Sequence, residues 1–442
     1  MKNLLLSIIS LPLRVMILLY VYAKWGMKRR FGLRSGSDIR ISEGMLDVDH
    51  VDIPVELRQQ FKKIFFRRGI TYNNVKYSEE ATELIDKMLD HLEKNYDPQA
   101  IKIKPIETVD FSEMSDPEAF YEKYVKVPRP IVIKNFKLDK QKWSLEYFAK
   151  TFKNYPVLVT NLETQEHREQ PFDEFLKSPE KTYIHTNESL WYGDPSLEDS
   201  LPFAEFEAIL KRNLMTGHLF VGKTKESLTP FHCANNYNIF FQLKGRKQWT
   251  FVNPEYTYLM YPVSSRFRAY YAAGVPSVEG CDHERFKLFK FCPKYRVDLE
   301  EGDLLINPPL WWHSVQALTE ETLSVASRWG SMGQATLFGT KELKDAFDTN
   351  HLFTSISALH PFNVMMTLME CSRLLKINHG RLQLSRKVKG NTTLVEIGSH
   401  DDMPLRGMRG ELDPAWQHRS WMNRDKNKPV AAPVPEPEKL AA

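Results

Sequence analysis

From residue 128 to residue 329 the chain is a succession of short apolar runs, at 128–133, 156–160, 218–222, 238–243, 248–252, 303–307 and 323–329. Gly, Pro, Asn or charged residues close each run off, and the runs are rich in the β-branched and aromatic side chains that suit a pleated sheet. A parallel α/β sheet needs a helical crossover between successive strands, whereas the helical patterns here gather at the two ends of the chain. The expected fold is mainly β with flanking helices, built on a double-stranded β-helix, or jelly roll. A 42% hydrophobic content in 442 residues is enough to fill such a core.

Two of the strand patterns carry histidines in unusual settings. Thr229-Pro230-Phe231-His232-Cys233-Ala234 lies at one, and Gly302-Asp303 followed by Pro308-Pro309-Leu310-Trp311-Trp312-His313 lies at the other. A strand alternates its side chains between faces, so if His232 points inward then Cys233 points outward and Ala234 inward again. Cys233 is therefore a poor substitute ligand despite its chemistry, and Ala234 offers only a methyl group on the correct face. Asn235 and Asn236 reach that face only if the strand bulges. Alone, His313 beside two tryptophans reads as a packed core histidine; paired with His232, metal binding becomes the better reading. Lys247 alone reads as a hairpin lysine after Gly245, facing solvent.

Taken together, these motifs resemble the JmjC and cupin-like branch of the 2-oxoglutarate oxygenase superfamily. The resemblance runs from about 106 to 330. It also includes Asn238-Ile239-Phe240-Phe241-Gln242-Leu243-Lys244-Gly245-Arg246-Lys247-Gln248-Trp249 and Val325-Ala326-Ser327-Arg328-Trp329. It implies Fe(II) and 2-oxoglutarate as cofactors, with His232 and His313 as the iron-binding histidines. Thr229, Asn238 and Lys247 match positions that bind 2-oxoglutarate, and Ser327 falls near the same ligand. The acidic ligand of that family's iron site is expected at position 234, where this chain has Ala234. The resemblance implies an oxygenase, in first place a hydroxylase of unknown substrate. A catalytically silent cupin-like binding or scaffold module is the alternative, and halogenase-like use of the vacant ligand position a lesser one.

The rest of the chain is read as appendages. Residues 4–23 (LLLSIISLPLRVMILLYVYA) are long and apolar enough to span a bilayer, so residues 1–25 are expected to form a transmembrane signal-anchor. Lys24, Lys28, Arg29, Arg30 and Arg34 follow it and put the main domain on the cytosolic side of a single-pass membrane protein. Residues 26–105 read as a basic linker and helical prelude, 106–335 as the jelly-roll domain and 336–425 as a helical extension. A homodimer through those C-terminal helices is conceivable on this reading. Residues 426–442 form a Pro-rich disordered tail. A net charge of +4 from 60 basic and 56 acidic residues is no nucleic-acid footprint. Four cysteines without regular spacing give neither a disulfide scaffold nor a zinc finger.

Overall fold

The structure, a computed structural model, describes residues 51–329 with breaks at 59, 62–78, 127, 165–166, 188–189, 192–193, 195, 211–213, 235–236 and 265–269. The expected C-terminal helices and Pro-rich tail lie outside the described residues, as does the apolar run 4–23. Among the described residues no helix is long and apolar enough to cross a membrane. The expectation of a single-pass membrane protein is corrected accordingly: it rested on that terminal run alone, and no described element carries it.

The strands assemble into two mixed sheets, consistent with a cupin-like jelly roll. The smaller runs β1 (Ile103–Pro105), β13 (Lys294–Leu299), β10 (Lys247–Val252), β15 (Trp312–Ala317), β8 (Leu228–Ala234), β12 (Tyr270–Ala273), β11 (Pro262–Ser264). The larger runs β2 (Glu107–Asp110), β3 (Ile131–Lys134), β14 (Leu304–Asn307), β9 (Tyr237–Lys244), β16 (Thr322–Trp329), β7 (Leu214–Gly222), β6 (Thr182–Asn187), β4 (Pro156–Asn161), β5 (His167–Pro171). The β1–β13 and β2–β3 pairs are parallel and the others antiparallel. Because β1 joins the smaller sheet, the barrel begins a few residues ahead of Ile106.

Each of the seven strand patterns seen in the sequence contains a strand; the run at 128–133 turns to strand only at Ile131 and that at 303–307 at Leu304, while the others match or are extended at their ends. Less apolar strands such as β5, β13 and β15 lacked the signal because charged or polar residues interrupt their apolar ones. Asp116 caps the helix Pro117–Phe120 by accepting from the Ala119 N–H, with Pro117 in the first turn, as its spacing suggests. The amphipathic helix Glu79–Asn95 buries Leu84, Met88 and Leu92 in the main core.

Strand alternation divides the interior into two cores. Phe240 on β9, Leu305 on β14, Ala326 on β16 and Trp249 and Phe251 on β10 form an inner core between the sheets. Ile239, Phe241, Leu304, Val325 and Trp329 point the other way, into the core shared with the helices. There Phe203 of the helix Phe203–Leu210 packs on Phe241 at 5.3 Å between ring centroids, and Phe206 of the same helix at 5.9 Å. Both faces of β9 are therefore buried, which is why Ile239-Phe240-Phe241 reads as consecutive apolar residues rather than an alternating pattern.

Candidate functional site

The site lies on the inner faces of β8, β15, β9, β16 and β10. His232 on β8 and His313 on β15 are direct cross-strand partners, and their rings come to 4.2 Å between centroids. Each ring is oriented by its own backbone. His232 Nδ1 is 2.9 Å from the Pro230 carbonyl oxygen and His313 Nδ1 is 2.9 Å from that of Trp311. A carbonyl only accepts, so both Nδ1 atoms carry the proton and both Nε2 atoms keep a lone pair. This is the tautomer a metal-ligating histidine uses.

The surroundings of His313 differ from those expected. Trp249 stacks on its ring at 5.3 Å and 20°, and Phe251 lies at 6.0 Å. Trp311 instead donates its indole N–H to the Pro128 carbonyl, and Trp312 donates to Thr257. Leu310 opens this stretch with φ +65, a left-handed value that is uncommon for a residue with a side chain. Its N–H donates to the Ala234 carbonyl at 2.7 Å, joining the two rims of the site.

Burial keeps both imidazoles neutral. Desolvation holds His232 down at about 4, opposed by the Pro230 carbonyl and aided by the Arg328 charge. Desolvation also holds His313 well below the ordinary range, with His232 and Arg328 adding to it and the Trp311 carbonyl opposing.

The inward alternation expected for β8 is present. Phe231 and Cys233 face the outer core, while Ala234 lies two positions from His232 on the same side. Burial raises the Cys233 thiol well above its ordinary pKa, so it is neither oriented nor ionised for ligation. Asn235 and Asn236 lie outside the described residues. Among the described residues no group of three or more His, Cys, Asp or Glu converges on a metal position. Among the described residues iron would therefore find two suitable nitrogen donors here and no third His, Cys, Asp or Glu. Even one of those is contested, since Asn307 Nδ2 sits 3.4 Å from His313 Nε2. The Cys281 and His283 pair, 3.8 Å apart, has no further partner of that kind.

Lys247 is the largest departure from its sequence reading. Gly245, at φ +70, makes the tight turn from β9 to β10, and a Cβ there would come within 2.0 Å of the Glu321 carbonyl. The turn directs Lys247 into the barrel, where it is only 2% exposed. Its ammonium donates to Ser324 at 2.6 Å and to Tyr183 at 3.3 Å, and sits about equally far from the rings of Tyr183, Phe220 and Phe240. With hydroxyls and ring faces around it and no carboxylate paired with it among the described residues, burial drags its pKa down to about 7.

Thr229 is half-buried on β8, opposite Val315 of β15. Asn238 is 3% exposed on β9, and its Oδ1 has no hydrogen-bond partner among the described residues. Ser327 is separated from this group. It faces the outer core, where it donates to the Ile239 carbonyl at 3.2 Å and accepts the Trp329 indole N–H at 2.7 Å. Two residues escaped the sequence reading, Asn307 and Arg328. They flank Asn238 in register on the neighbouring strands, so all three share one face. Only the pairing register reveals this; Arg328 stands one position from Ser327, and a one-residue step reverses the face.

Comparison with known proteins agrees with this architecture. Residues 117–331 match the family model described as a cupin-like domain. The chain thus carries a cupin-like JmjC domain. It is 31% identical over 96 residues to JmjC domain-containing protein D of Dictyostelium discoideum, covering 22% of this chain and 21% of that protein. It is 30% identical over 150 residues to HSPB1-associated protein 1 of Rattus norvegicus, covering 32% of this chain and 31% of the relative. With tRNA wybutosine-synthesizing protein 5 of Mus musculus it shares 31% identity over 78 residues, 18% of this chain and 23% of that one. The matched stretches thus span from 21% to 31% of the length of these curated relatives.

Proposed function

We propose that this barrel is an oxygenase-type site that takes 2-oxoglutarate at Lys247 and uses it in the hydroxylation of a substrate still to be identified. The observation that carries this reading is Lys247, a cation sealed inside the barrel with hydroxyl partners and, among the described residues, no carboxylate paired with it. A buried ammonium is costly unless paired, and the carboxylate of a bound dicarboxylate supplies the missing charge. Ser324 and Tyr183 fix the ammonium in place, Thr229 and Asn238 add neutral hydrogen-bonding groups, and the aromatic inner core excludes water. His232 and His313 would hold Fe(II) through their Nε2 atoms, and the bound iron would supply the dioxygen chemistry. The family generally uses Fe(II) and 2-oxoglutarate, which is consistent with this assignment.

The test is oxidation of 2-oxoglutarate to succinate and CO2 by the full chain with Fe(II) and dioxygen. Succinate above an iron-only control is expected from wild type and not from K247M. Equal succinate in all three would end the reading. A second reading, a binding barrel without iron chemistry, draws on one observation: the face that should supply a carboxylate presents Ala234. It is favoured if wild type binds 2-oxoglutarate yet turns none over, and Ala234→Asp gains turnover.

A further inference from the structure

The inner face of the barrel holds a second cation that the reading above does not use. Arg328 is 9% exposed, on β16, and its Nε has no hydrogen-bond partner among the described residues. A guanidinium does not shed its proton at any ordinary pH, so this charge cannot be removed by neutralisation as that of Lys247 can. It stands in a row with Asn238 and Asn307, paired across β9 and β14, and both asparagines also have an Oδ1 without a partner. Asn307 reaches the His313 ring, which places the row beside the histidine pair. The two histidines contribute no negative charge, and Ala234 leaves the third position with none either. The site therefore presents a net positive charge where a two-histidine, one-carboxylate centre would present a negative one.

We propose that Arg328, with Asn238 beside it, forms a carboxylate-binding subsite at the histidine end of the barrel, so that a ligand brings the negative charge the chain omits at Ala234. A carboxylate suits the row better than a spherical anion. Its two oxygens match the guanidinium fork, and the neighbouring amides can turn an N–H toward a remaining lone pair. The backbone positions that anchor the two cations lie apart on the strand. Lys247 is held by Ser324, four residues along β16 from Arg328 and on the same face, a strand distance of roughly 13 Å at about 3.3 Å per residue. The proposal needs no metal; it shares Asn238 with the oxygenase reading, and the residue it adds is Arg328.

The experiment is thermal unfolding of the metal-free full chain titrated with acetate, against chloride at equal ionic strength. Acetate is expected to raise the midpoint saturably above chloride. R328Q and R328M are expected to bind it roughly ten- to a hundredfold more weakly, the worth of a charge-assisted pair, while K247M keeps the response. An acetate-dependent shift of the Arg Nε–H resonance in wild type checks the same contact without a variant. The proposal is overturned if chloride matches acetate, if R328Q and R328M respond as wild type does, or if K247M alone abolishes the effect. Acetate binding through Arg328 without any 2-oxoglutarate binding would defeat the oxygenase reading and leave this one standing.

Discussion

His232 and His313 face each other across the β8–β15 pair, each with Nδ1 donated to the carbonyl two residues before it. This shared arrangement makes them a pair rather than two packed core histidines. It orients both Nε2 lone pairs through backbone carbonyls alone, the arrangement that two metal-ligating histidines would need.

Lys247 gives the protein a pH signature. Its folded pKa of about 7 lies below the ordinary lysine value of 10.5, so between those values the unfolded chain holds a proton that the folded chain does not. Unfolding free energy should rise with pH across this window by up to about 1.4 kcal/mol per unit and level off outside it. Dicarboxylate binding should run oppositely, weakening above pH 7 as the ammonium is lost. Denaturant melts of wild type and K247M from pH 6 to 10 check the first, and calorimetric titrations over the same range check the second. A pH-independent difference between the two proteins would remove Lys247 from the account.

Ser327 and Arg328 separate the two faces of β16. Ser327→Ala should cost about 1–3 kcal/mol, because the buried Trp329 indole N–H loses its acceptor. It should leave 2-oxoglutarate affinity unchanged. A large loss of affinity with unchanged stability would return Ser327 to the site.

What the sequence revealed and what it withheld follow from these neighbours. The strands with two buried faces were legible, because both faces are apolar, and so were the histidines, because Pro-rich rims mark them. The burial of Lys247 was not legible, since a lysine after a glycine turn is ordinarily solvated and only the inward twist of β10 encloses it. Arg328 was hidden for a different reason: its register against Asn238 and Asn307 depends on two long-range strand pairings. The apolar run 4–23 gave the opposite error, a membrane expectation that the described helices do not carry.

Cys233 should be inert. It faces the outer core with its thiol pKa raised by burial, so Cys233→Ala should cost about 1–2 kcal/mol without changing metal affinity. In wild type, alkylation of Cys233 should await unfolding. Rapid labelling of the native protein at that residue, located by peptide mapping, would contradict the placement.

Ala234→Asp should restore an acidic oxygen on the face of His232 and pair with Arg328. Fe(II) or Mn(II) affinity is expected to rise at least about tenfold, in line with adding a charged ligand, and the acetate response at Arg328 to disappear. Anaerobic metal titration checks the first and thermal unfolding the second. Metal affinity equal to wild type would mean that position 234 does not face the histidine pair.

On the proposed reading the barrel interior receives a dicarboxylate at Lys247. Calorimetric titration of 2-oxoglutarate into the full chain at pH 6.5, anaerobic and with Fe(II), tests it most directly, with K247M and K247R alongside. Saturable binding is expected from wild type, partial binding from K247R and none from K247M. Absence of binding by wild type, or equal binding by all three, would contradict it.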